Sequence, residues 1–192
     1  MSRFNQVLFL GSAARAAQFP ADVGVEVGFV GRSNAGKSSA INAITQRQGL
    51  ARTSKTPGRT QLLNFFELAP GRRLVDLPGY GYAEVTAAQR RAWQPLIEAL
   101  HAREALRGLF VIVDARRGIQ DGDEALLEWA GPQRRLHVLL AKCDKLSTGE
   151  GRATLRAAEA ALKGRSSVQL FSSLKGTGVA EAREILAAWL GV

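Results

Sequence analysis

Residues Gly31 to Ser38 read Gly-Arg-Ser-Asn-Ala-Gly-Lys-Ser, the spacing GxxxxGK followed by Ser or Thr. Each residue type there has a chemical use. Gly31 and Gly36 allow the backbone to curl tightly and turn its N–H groups toward an anion. Lys37 can reach the outer phosphates of a nucleotide, and the Ser38 hydroxyl can ligate Mg²⁺. Arg32, Ser33, Asn34 and Ala35 between the glycines, and Ser39 after Ser38, complete the candidate phosphate-binding stretch. The apolar run Val25 to Val30 before it predicts a buried strand, and Ser39 to Ile44 predicts the start of a helix. The N-terminal end of such a helix favours bound phosphate.

Further motifs follow in an order that narrows the ligand. Asp76-Leu77-Pro78-Gly79 ends a predicted strand. A carboxylate there can hold Mg²⁺, and Gly79 can bring its N–H to a γ-phosphate. Loss of that phosphate would release Tyr80 to Glu84. Thr56-Pro57-Gly58-Arg59-Thr60 lies in a polar stretch, Gln46 to Arg59, that reads as a mobile loop. Thr60 is the preferred Mg²⁺ and γ-phosphate ligand, Thr56 the alternative, and a plain Pro-Gly turn the bland reading. Ala141-Lys142-Cys143-Asp144 follows an apolar run. The Asp144 carboxylate can accept from guanine N1–H and N2–H₂, donors that adenine does not pair, while the Lys142 stem lies over the purine. Ser172-Ser173-Leu174 follows the last predicted strand, which ends at Phe171, and a backbone N–H there can donate to guanine O6. The bland alternative is two ordinary strand-end loops.

The remaining pattern supplies elements to position these groups. Strands are expected at Val7 to Leu10, Gln61 to Leu68, Arg72 to Asp76, Leu109 to Asp114, Leu136 to Ala141 and Val168 to Phe171. Pro70-Gly71 suits a hairpin turn. Helices are expected at Thr86 to Arg107, interrupted or kinked at Pro95, and at Asp121 to Ala130, Thr148 to Lys163 and Val179 to Leu190. Strands alternating with helices predict an α/β fold with a mostly parallel sheet. Trp93, Trp129 and Trp189 fall in these helices and read as packing residues.

With 192 residues, 46% hydrophobic and 22% charged, the chain is expected to fold as one domain spanning 1–192. No apolar run approaches the roughly 20 residues of a membrane span, and no signal-peptide pattern opens the sequence. The lone Cys143 excludes an intrachain disulfide and fits a cytoplasmic location. The net charge of +9 suits contact with a phosphate polymer. Arg47, Arg52, Lys55 and Arg59 crowd the mobile loop, where RNA contact and simple solvation are both open readings. His101 and His137 show no metal-ligand spacing.

On Gly31 to Ser39, Ala51 to Phe66, Leu74 to Ala83, Ala141 to Leu146 and Phe171 to Lys175, the chain resembles the EngB (YihA/YsxC) family of bacterial ribosome-assembly GTPases. These are Era-like GTPases of the translation-factor class. The resemblance covers nearly the whole chain, with the segment DLPGYGYA particularly specific. It implies a three-layer Ras-like P-loop domain that binds GTP or GDP with Mg²⁺. It also implies action on the large ribosomal subunit or its precursor through ribosomal RNA, in support of growth, cell division and septation. No membrane or DNA partner and a monomeric state are expected. Ala141 departs from the family pattern, which has Thr or Asn to tie the base loop to the phosphate loop; nucleotide affinity is where this matters. Tyr80 stands where many GTPases keep a water-orienting glutamine, so turnover should be slow. In related GTPases an asparagine at the place of Asn34 helps bind K⁺; a loop-stabilising role is the equal alternative. The rival readings are a nucleoside kinase and a regulatory GTPase with a non-ribosomal protein partner.

Overall fold

The computed structural model describes residues 3–51, 62–79 and 87–192. They form a seven-stranded sheet. The strands are β1 (Leu8–Ala13), β2 (Val25–Gly31), β3 (Leu63–Ala69), β4 (Arg72–Asp76), β5 (Leu106–Asp114), β6 (Arg135–Ala141) and β7 (Ser167–Leu170). Their spatial order is β1-β3-β4-β2-β5-β6-β7. β4, β2, β5, β6 and β7 run parallel, while β1 and β3 form an antiparallel margin against β4. Pro70-Gly71 makes the tight link between β3 and β4, with Gly71 at φ +69°.

Successive side chains of a strand point to opposite faces, so each central strand feeds two cores. Phe29, Phe110, Ile112 and Leu139 face one layer, packed by Ile41 and Ile44 of α1 (Lys37–Thr45) and by Ala182, Leu186 and Leu190 of α5 (Val179–Leu190). Val30, Leu109, Val111, Val113, Val138 and Leu140 face the other. There they meet Leu96 and Leu100 of α2 (Ala87–His101), Leu127 of α3 (Asp121–Ala130), and Ala158 and Leu162 of α4 (Thr148–Leu162). The result is the expected three-layer α/β sandwich. Trp189 packs on Phe110 with ring centroids 5.2 Å apart, and Trp129 on His101 at 4.9 Å, as packing residues should. The side chain of Trp93 lies outside the described residues.

One element is shorter than its sequence pattern. The helical spacing predicted through Arg107 ends at His101, and β5 begins at Leu106. Pro95 sits inside α2 without ending it. Ala-Arg-Glu-Ala favours helix locally, but tertiary bonds take these residues. The Asp22 carboxylate accepts from the N–H groups of Glu104 (3.1 Å) and Ala105 (2.9 Å). Arg103 turns inward, where its Nε and Nη2 each donate to Glu26 at 2.7 Å.

Glu26 is wholly buried in β2 and also accepts from Arg73 Nη1 at 3.1 Å. Both arginines donate onward to the carbonyl of Ala21, which fixes the segment entering β2. A buried ion left without its partner is strongly destabilising. Glu26→Ala, which strands two guanidinium groups, should cost about 3–5 kcal/mol in urea unfolding. An unchanged midpoint would show that water reaches the cluster freely.

Candidate functional site

Brought together at the carboxyl edge of the parallel sheet are the ends of β2, β4, β5, β6 and β7, the usual ligand-binding edge of such sheets. β2 ends at Gly31, pressed against β5; a Cβ there would come within 2.5 Å of the Ile112 carbonyl oxygen. Gly36 takes φ +113°, a backbone conformation closed to most residues, and delivers the chain into α1 at Lys37. Gly36 O accepts from Ala40 N, so the N–H groups of the first turn are left facing the concavity of residues 31–38. Ser38 and Ser39 lie in that turn. The sequence-predicted phosphate-binding stretch is thus a loop wrapped around a helix N-terminus.

Lys37 Nζ pairs with the Asp76 carboxylate at the end of β4. Leu77 N donates to Phe29 O at 2.9 Å, holding the chain beyond Asp76 against β2. Pro78 is buried, and Gly79 reaches the phosphate loop, where an added Cβ would stand 2.7 Å from Ser33 Oγ. Gly58, Arg59, Thr60 and the alternative Thr56 lie outside the described residues, as do Arg52, Lys55 and Tyr80.

The second half of the site is built on β6 and β7. Cys143 N donates to Phe171 O (3.2 Å) and Phe171 N to Leu140 O (2.9 Å), which sets the two strand-end loops side by side. Ser172 Oγ then donates to Asp144 Oδ1 at 2.6 Å. That bond holds the Asp144 carboxyl below the usual carboxylate range, so it remains an acceptor at neutral pH. The Ser172 N–H is taken by Thr177 O at 2.9 Å. Among the described residues the Ser173 N–H has no backbone acceptor. Burial and the neighbouring Asp144 push the Cys143 thiol up, so it is a poor nucleophile.

Lys142 reaches from the base loop to the phosphate loop. Its backbone is left-handed at φ +62°, and its Nζ donates to the Asn34 carbonyl and, at 3.0 Å, to Asp114 Oδ2. Asp114 also accepts from Arg116 Nε (2.9 Å) and Nη2 (2.6 Å). Burial works to raise its pKa, but the Arg116 and Lys142 bonds outweigh it and hold the carboxyl well below the carboxylate range. Arg32, Asn34, Asp114, Arg116 and Lys142 line a cleft of about 250 Å³. Asp114 was not singled out in the sequence, although it carries the signal that marked Asp76: a carboxylate closing a buried apolar strand.

Among the described residues no group of three His, Cys, Asp or Glu could hold a metal by itself. Ser38 and Asp76 offer two oxygen donors beside the phosphate loop. That set suits Mg²⁺, which keeps several waters and takes further ligands from phosphates.

A depressed carboxyl pKa keeps the carboxylate ionised through the ordinary range, and the benefit is lost only as pH falls through the lowered value. The ratio of GDP to IDP binding, which cancels phosphate titration, should therefore hold steady down to about pH 5. Ser172→Ala, which removes the largest cause, should move the loss of that ratio to higher pH. A profile unchanged by Ser172→Ala would separate Asp144 from base reading.

The geometry agrees with what the chain is similar to. A family model described as "50S ribosome-binding GTPase" matches residues 26–142. The probable GTP-binding protein EngB of Escherichia coli strain K12 is 50% identical over 191 residues, covering 97% of this chain and 91% of that one. The protein of the same name from Shigella boydii serotype 18 matches to the same extent. Among solved structures, a probable GTP-binding protein EngB superposes with TM-score 0.69 at 17% identity, over 87% of this chain and 99% of that one. Era in complex with MgGDPNP and nucleotides 1506–1542 of 16S ribosomal RNA superposes with TM-score 0.64 at 20% identity, over 86% and 56%. At those identities the superpositions carry the fold alone, a P-loop GTPase fold; the curated relatives carry the family. The chain belongs to the EngB family of GTP-binding GTPases.

Proposed function

We propose that this GTPase is a slow, Mg²⁺-dependent nucleotide switch that assists assembly of the large ribosomal subunit in the cytoplasm, as a single-domain monomer. The observation that carries the reading is the family model for ribosome-binding GTPases, which runs from β2 through the phosphate loop to Lys142. The +9 charge supports an RNA-rich partner. Era, which shares this fold, was solved with ribosomal RNA, a partner of the same class. No described helix is long and apolar enough to cross a membrane. A place in cell division and septation follows through growth.

In this reading Asp144 and the Ser173 N–H hold the guanine edge. The N–H groups at the start of α1 hold the β-phosphate, and Lys37 neutralises charge between β- and γ-phosphates. Ser38, Asp76 and Thr60 would hold Mg²⁺, which would supply further positive charge near the phosphates. Gly79 and Thr60 offer N–H groups to the γ-phosphate, so both flanking loops respond to hydrolysis. Hydrolysis still needs an oriented water, and Tyr80 is a poor substitute for an amide.

Basal turnover should lie within a few orders of magnitude of the roughly 10⁻⁴ per second of an unassisted GTPase. If the Asn34 side chain helps bind K⁺, exchanging Na⁺ for K⁺ raises the rate and Asn34→Ala abolishes the gain. Equal rates in both salts remove K⁺ and leave the GTPase intact.

The partner is tested by sedimentation with purified subunits. Binding to the large subunit or its precursors should be about tenfold tighter with a non-hydrolysable GTP analogue than with GDP. It should fall steeply with salt, and charge reversal at Arg52 or Lys55 should weaken it while sparing GDP binding. Absence of binding to that subunit at low salt in every nucleotide state would point to a non-ribosomal partner.

A further inference from the structure

Asp114 is a buried carboxylate that the proposed reaction leaves unused. It ends β5, between the strand that runs into the phosphate loop and the strand that runs into the base loop. The contact between those loops at Ala141 is apolar: its methyl lies 3.6 Å from where a Cβ on Gly36 would stand. The polar link runs instead through Lys142, whose ammonium donates to the Asn34 carbonyl and to Asp114 Oδ2. A lysine side chain has about 2 kcal/mol of rotamer freedom to lose, and an unaided ammonium would spend much of its time in water. Asp114 is itself fixed. Arg116 grips both its oxygens from the solvent side, and the Arg116 N–H donates to Oδ1 at 3.1 Å. Arg116 is half-exposed, whereas Lys142 lies deeper, between the two loops.

We propose that Asp114 is a positioning residue for nucleotide binding. It pins the Lys142 ammonium on the Asn34 carbonyl, so that the phosphate loop and base loop stand at a fixed separation before the nucleotide arrives. The inference rests on the reading of Lys142 and Asp144 as the base loop. A ligand that spans both loops then meets a preorganised site, and the benefit is common to GDP and GTP. Base choice is untouched, because Asp144 is held by Ser172 and makes no bond to Asp114 among those described.

Release of a fluorescent GDP analogue, measured by stopped flow on the full chain, tests this. Asp114→Asn keeps the volume and loses the charge. It should weaken GDP and GTP about tenfold alike, through faster release, with the GDP to IDP ratio unchanged. Lys142→Met should lose a similar factor. The double variant should be no weaker than Lys142→Met alone, because the two residues act through one bond. Arg116→Gln, which loosens Asp114 but leaves its charge beside Lys142, should speed release by a smaller factor than Asp114→Asn. Additive losses in the double variant, unchanged release from Asp114→Asn, or Arg116→Gln as damaging as Asp114→Asn would each overturn the proposal. Wild-type protein that binds IDP as well as GDP would bring down the base-loop reading itself. Guanine preference with an inert Asp114→Asn would bring down this inference alone.

Discussion

The first turn of α1 has N–H groups that no carbonyl of the helix can accept, and much of the fold follows from presenting them to an anion. Gly36 must take a left-handed conformation to aim the helix, and Gly31 must lack a Cβ so that β2 can end against β5. That close packing requires parallel strands whose side chains are apolar on both faces, with a helical layer over each. The helix is anchored at its far end too, where Arg183 of α5 donates to the carbonyls of Ile44 (2.9 Å) and Ala43 (3.2 Å). A cation at that end satisfies orphan acceptors and opposes the negative pole of the dipole. The anion site is therefore supported by a helix from the other end of the chain.

Local features of this arrangement were legible in the sequence, and non-local ones were not. β4, α3 and α5 have the bounds their residue patterns predict, because apolar periodicity and capping residues act within a few positions. The motif residues Gly31, Lys37, Asp76, Asp144 and Ser172 also announce themselves by spacing. The end of α2 did not, because Arg103 is drawn to Glu26, a residue 77 positions away. The Lys37–Asp76 pair, the engagement of the Ser172 N–H and the Asp114–Lys142 link share this character. Each depends on which strands end side by side, and strand order is a property of the assembled sheet. Asp114 was the most accessible of these, since it shares with Asp76 the pattern of a carboxylate closing an apolar strand.

Buried or partly buried carboxylates mark both ends of the sheet, but with different freedom. At the lower end Glu26 has both oxygens occupied by two arginines, and these are tied to backbone carbonyls of the segment entering β2. Nothing there can exchange without leaving a buried ion unpaired, so the cluster specifies structure. At the upper end Asp114 and Asp76 each hold a lysine that also has business with the phosphate loop. The same chemistry, a strand-end carboxylate with a cation, serves fixation in one place and readiness in the other.

That readiness has a thermodynamic consequence at Lys37 and Asp76. Their side chains are only 13% and 8% exposed, so neither is well solvated once the pair separates. Phosphate oxygens that draw Lys37 away leave the Asp76 carboxylate short of a counter-charge, a state that costs several kcal/mol in a buried pair. In the proposed reading, a divalent cation held by Ser38 and Asp76 would restore the balance. Nucleotide and cation would then bind with positive coupling, because each would repair the charge that the other exposes. The coupling needs no long-range conformational change; it follows from two opposite charges sharing one poorly solvated corner between β4 and α1.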